Sequence, residues 1–123
     1  MPFRLTVAQE LGSLLGTLAH QQRLIIIEEL RRGERDVASL AKAIGIPQPT
    51  LSQHLNRLRL LHLVVERRES RHVYYSLRDP NLVQWLKDGF SIVEQKACLA
   101  QDVANASKKV RIVWSSAEKR EHV

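Results

Sequence analysis

Between Gln48 and Arg57 the chain sets out Gln48, Thr50, Ser52, Gln53, His54, Asn56 and Arg57, with Pro49 among them and no carboxylate in the stretch. These are groups that read hydrogen-bonding surfaces. An amide pairs with the donor and acceptor of adenine, and a guanidinium pairs with the two acceptors of guanine. Projected on a helix at about 100° per residue, Leu51, Leu55 and Leu58 fall on one side. Pro49, Gln53, Asn56 and Arg57 fall on the other, flanked by Thr50 and Ser52. His54 sits beside the reading face, where it either touches phosphate or packs under the helix. The set expected to meet nucleic acid is therefore Gln48, Pro49, Thr50, Ser52, Gln53, His54, Asn56 and Arg57. Its bland alternative is a solvated helix face.

A second group of arginines follows. Arg67, Arg68 and Arg71 lie in a polar turn between His62-Leu63-Val64-Val65 and His72-Val73-Tyr74-Tyr75-Ser76-Leu77. Two β-branched or aromatic runs around such a turn predict a hairpin. An arginine-tipped hairpin placed directly after a reading helix can reach the phosphate backbone or the minor groove. Charge agrees. Residues 47–78 carry a net +4 from six arginines and two glutamates, out of +6 for the whole chain. Residues 107–123 carry +3, and residues 79–106 carry −2. That is the electrostatic footprint of a phosphate-binding surface.

Other chemistry finds little footing. There is no glycine-rich phosphate loop, no carboxylate pair in a believable cleft and no nucleophile–base pairing, so an enzyme is not expected. His20, His54, His62, His72 and His122 have no chelating spacing. Cys98 is the single cysteine. It projects among Glu94, Gln95 and Asp102 as a possible redox residue, or as an inert exposed thiol. The apolar run Leu24–Ile27 is too short for a secretory or membrane segment, so a cytoplasmic, membrane-independent protein is expected.

The elements that must position these residues are helical. Residues 5–18 repeat Val7, Leu11, Leu14, Leu15 and Leu18 at helical spacing. His20 to Arg32 forms a second, central helix. Asp36 caps a third over Val37–Ile44, and Gly45 ends it in a left-handed turn. Pro47 separates it from the reading helix, which runs from Gln48 to about Leu61. After the hairpin, Asp79 and Pro80 open a long helix to about Ala106, with one stripe of Val83, Leu86, Phe90, Val93 and Ala97 and another containing Trp85 and Ile92. The sticky faces of the first and last helices predict a homodimer through Leu11, Leu14, Leu15, Val83, Leu86, Phe90, Val93 and Ala97. One domain is expected over 1–106, with a basic tail over 107–123.

The order helix, helix, helix–turn–helix, arginine-tipped hairpin, long helix resembles the ArsR family of bacterial winged-helix repressors. The resemblance is carried by LAHQQRLIIIEEL (18–30), IGIPQPTLSQHLNRLRLLHLV (44–64) and RHVYYSL (71–77). It implies a mainly α winged helix-turn-helix, α-α-α-α-β-β-α, whose long terminal helices pair two copies. It also implies a repressor that grips double-stranded DNA at an inverted-repeat operator and releases it when an inducer binds. The chain departs from the family's metal sensors. Residues 35–39 lack the Cys-x-Cys pair, and Asp79 through Asp102 contains no histidine. No metal or other cofactor is expected, and the inducer is left open. The rival reading is a winged-helix module that binds protein instead of DNA.

Overall fold

The structure is a computed structural model and describes residues 2–97 and 109–110. The backbone clusters into two compact units, Met1–Pro80 and Asn81–Val123. The first contains α1 (Pro2–Leu18), α2 (Gln21–Leu30), β1 (Arg35–Asp36), α3 (Val37–Ile44), α4 (Gln48–Leu60), β2 (Val64–Glu69) and β3 (His72–Leu77). The second begins with α5 (Asn81–Ala97).

Local chemistry sets the helix ends. The Asp36 carboxylate accepts from the Ser39 amide at 3.1 Å and caps α3. Gly45 closes that helix at φ 82°, a left-handed conformation that costs glycine nothing. Its amide donates to the Ala41 carbonyl at 2.8 Å. Pro47 then adopts an extended backbone as the N-cap of α4, and Pro49 occupies the first turn, where its missing N–H is no loss. α2 is capped by His20, whose Nδ1 accepts from the Gln22 amide.

α2 is the central helix. Ile26, Ile27 and Leu30 are buried, while Ile25 stays on the surface. They meet Leu40 and Ala41 of α3, Leu51, Leu55 and Leu58 of α4, Val64 of β2 and Tyr75 of β3 in one core. Leu51, Leu55 and Leu58 have no exposed surface at all, so α4 is anchored along its whole apolar stripe.

The hairpin forms, with Val64 opposite Leu77 and Glu69 opposite His72. Its turn is shorter than expected: Arg67 and Arg68 pair with Tyr74 and Val73 inside β2, and only Ser70 and Arg71 make the turn. Ser70 takes a left-handed φ of 56° at its tip. One strand was not foreseen. Arg35 and Asp36 pair antiparallel with Tyr75 and Tyr74, giving a three-stranded sheet in the order β1-β3-β2. Two residues carry no period-2 pattern, so only the returning wing reveals them as a strand.

In the second unit Val83 is buried, Leu86 and Phe90 are half-buried, and Trp85, Ile92 and Val93 are exposed. The expected extension of this helix to Ala106, Cys98 and the boundary at 106/107 lie outside the described residues, as does the Ala97 side chain. Among the described residues no helix is long and apolar enough to cross a membrane.

Candidate nucleic-acid interface

α4 presents its polar side outward. Gln48, Pro49, Ser52, Gln53, Asn56 and Arg57 are exposed, and Thr50 is half-buried at the edge. Two stripes can be separated. Pro49, Gln53 and Arg57 recur every four residues. Gln48, Ser52, Asn56 and Arg59 recur on the neighbouring side, and these four line a cleft between α4 and the wing. Asn56 is not isolated there. Its Oδ1 accepts from Arg59 Nη2 at 2.7 Å, which turns the amide NH2 away as a donor.

His54 is corrected by the structure. It lies under α4, 8% exposed, and faces α2. Arg23 Nε donates to its Nδ1 at 3.2 Å, so the ring proton resides on Nε2, 2.9 Å from Gln22 Oε1. Arg23 also donates to the Thr17 carbonyl at 2.9 Å, joining the end of α1 to α2 and α4. The His20 ring lies 4.5 Å from that of His54. The sequence held the signal. His54 stands three residues after Leu51 and four before Leu58, which places it beside the buried stripe.

Burial pulls the His54 imidazole below its usual value, and the nearby His20 and Arg23 add to the effect. The folded state therefore keeps this ring neutral where the unfolded chain already takes up a proton. Its contribution to stability is complete above about pH 6.5 and declines as the pH falls from there toward the depressed folded value. The urea midpoint should drop between pH 7.5 and pH 5.5, and His54→Gln should shrink that drop. An equal drop in the variant would remove His54 as its source.

The three wing arginines have different surroundings. Arg67 is held by Glu34, with Nε at 3.0 Å and Nη2 at 2.6 Å from its carboxylate, and by Glu69 at 2.6 Å. It also stacks 4.6 Å over the Tyr74 ring. These contacts make Arg67 a strut between the wing and the segment before β1, and its pairing holds the Glu34 carboxyl below the usual range. Arg68 Nε donates to Glu66 Oε1 at 2.7 Å. Arg71 is exposed beside the tip, with no carboxylate partner recorded among the described residues.

Glu66 links wing to helix. Its Oε2 accepts from the Tyr75 hydroxyl at 3.0 Å and lies 3.9 Å from Arg59 Nε. Arg68, then Tyr75, hold its carboxyl below the ordinary range, so it is ionised. Sequence reading missed the Arg59–Glu66 and Glu34–Arg67 pairs because each joins residues from different elements.

The sequence and the fold have known counterparts. Residues 20–65 match the family described as bacterial regulatory protein, arsR family. A biofilm growth-associated repressor of Xylella fastidiosa is 39% identical over 85 residues, 69% of this chain and 75% of that protein. The chain belongs to the ArsR family of transcriptional regulators. This ArsR-family chain is also similar to the HTH-type transcriptional regulator NmtR of Mycobacterium tuberculosis, 40% identical over 71% of this chain and 72% of that one. NolR from Sinorhizobium fredii superposes with a TM-score of 0.67 at 33% identity, covering 75% of this chain and 92% of that one. A winged helix-turn-helix DNA-binding domain from Mycobacterium bovis, described as homodimeric, gives 0.61 at 31% identity over 69% and 84%. The fold is thus the winged helix-turn-helix of a DNA-binding transcriptional regulator.

Proposed function

We propose that this regulator is a repressor that binds an inverted-repeat operator as a homodimer and leaves it when an inducer arrives. The observation that carries this reading is the outer side of α4. Gln53 and Arg57 project from a helix anchored by three fully buried leucines, with no carboxylate on that side. Such a surface suits the major groove. The wing adds Arg71 for backbone or minor groove.

Pairing of two copies is assigned to α1 and α5. α1 exposes Phe3, Leu5, Val7, Leu11 and Leu15, and half-buries Leu14. α5 exposes Trp85, Ile92 and Val93. Val83, only 3% exposed, is already covered within one chain and is removed from the expected interface. Leu86 and Phe90 remain at its edge.

We assign no metal or cofactor and no catalysis, in keeping with the missing thiols at 35–39 and missing histidines at 79–102. The setting is cytoplasmic, where the DNA is.

A gel shift on the DNA upstream of its own gene tests this. Retardation is expected, with half-sites about 34–36 Å apart and an affinity that falls steeply with salt. Failure to bind any promoter fragment of the genome at low salt would overturn the proposal.

A further inference from the structure

The cleft between α4 and the wing has a volume of about 430 Å³, room for more than ten waters at about 30 Å³ each. Ser52, Asn56 and Arg59 form its helix wall, and Arg68 and Arg71 stand on the wing wall. Glu66 lies between the two. We propose that this cleft is a phosphate site, in which Arg59 and Arg68 grip one and the same backbone phosphate of the bound DNA. This rests on the DNA-binding reading and goes beyond it. It removes Asn56 from base readout and adds Arg59, a residue outside the expected reading set.

The donors converge. Arg59 takes one of the two lone pairs of Asn56 Oδ1, and the Asn56 NH2 stays available to donate into the cleft. Phosphate oxygens are acceptors only, and an adenine edge would need that Oδ1 as well. Arg59 and Arg68 both approach a single carboxylate, Glu66, at 3.9 Å and 2.7 Å, which draws the two guanidinium groups toward one point of the cleft before DNA arrives.

The two carboxylates of the cleft, Asp36 and Glu66, keep their negative charges but are outnumbered by its arginines. Asp36 spends its Oδ2 on the cap of α3. Glu66 has both oxygens engaged, by Arg68 on one and Tyr75 on the other. Against these two acids stand Arg59, Arg68 and Arg71, a net positive wall. Glu66 is thus a positioning residue, and Arg59 and Arg68 are the binding ones.

The test replaces single phosphates of the operator, one at a time, by neutral methylphosphonates. Wild-type protein should lose about 10- to 150-fold in affinity at one phosphate per half-site, the scale of a single charge-assisted hydrogen bond. Arg59→Ala and Arg68→Ala should each become less sensitive at that same phosphate, with base preference unchanged. Arg59→Lys should restore part of the sensitivity. Circular dichroism shows that each variant is folded. Loss of sensitivity at two different phosphates, or at none, overturns the shared grip, and so does a changed base preference in Arg59→Ala. Inorganic phosphate titrated against the Arg59 and Arg68 Nε–H resonances separates the sources. Saturable shifts there, without any methylphosphonate effect, would transfer the site to a free phosphate ligand and overturn the backbone assignment. If wild-type protein binds no operator at all, the DNA-binding reading itself falls, and that failure is distinct from the others.

Discussion

Alanine at both Gln53 and Arg57 is expected to abolish discrimination between operator and random DNA while leaving the fold intact. Each base-edge contact contributes about 1–3 kcal/mol, a factor of roughly 5 to 150 in specificity. Both side chains are exposed and lie one helical turn apart on the outer stripe of α4. Neither has a recorded hydrogen bond or ion pair among the described residues, so their removal leaves nothing unpaired. Gln53→Ala should lower operator affinity and leave binding to random DNA unchanged. Arg57→Ala should lower both, because it also removes a positive charge. Titrations against operator and scrambled duplexes at two salt concentrations separate these effects. Unchanged affinity and unchanged preference in the double variant would mean that a different side of α4 meets the bases.

Leu55→Ala should cost about 2–5 kcal/mol of folding stability, the usual range for a fully buried leucine whose site cannot collapse. Leu55 has no exposed surface and sits in the middle of α4, next to His54. The cavity would open beneath the reading residues, so DNA binding should fail at a lower temperature than in the wild type. Urea unfolding measures this directly. The midpoint should shift to lower urea with the slope unchanged. A loss under about 1 kcal/mol would show that α4 is held mainly by its polar contacts to α2.

The two expectations differ in how legible they were. Leu51, Leu55 and Leu58 announce their burial by spacing alone, and Gln53 and Arg57 announce their exposure by lying opposite. The wing arginines look alike in sequence, yet Arg67 is a strut, Arg68 is paired with Glu66, and Arg71 has no recorded partner among the described residues. Nothing in the run Glu66-Arg67-Arg68-Glu69-Ser70-Arg71 separates them. Glu34, 33 positions before Arg67, sets Arg67 apart, and the folded hairpin decides that Glu66 takes Arg68. Val83 is a similar case. Its stripe predicted a sticky face, but one member of that face is consumed within the chain.

By itself the sequence determined the helices in order and the ends that flank α3 and α4, because these depend on neighbours a few residues away. The Asp36 cap, the left-handed Gly45, Pro49 in the first turn and the apolar stripe of α4 all belong to this class. Tertiary structure alone decided the roles of the charged and titratable residues. His54 is held toward its neutral form because folding buries it and brings His20 and Arg23 beside it from more than 30 positions away. Arg35 and Asp36 form a strand because β3 returns to them. The physical reason is range. Helix propensity and capping act within one turn, whereas the partner of a charge is fixed only when the chain folds back and brings the two together.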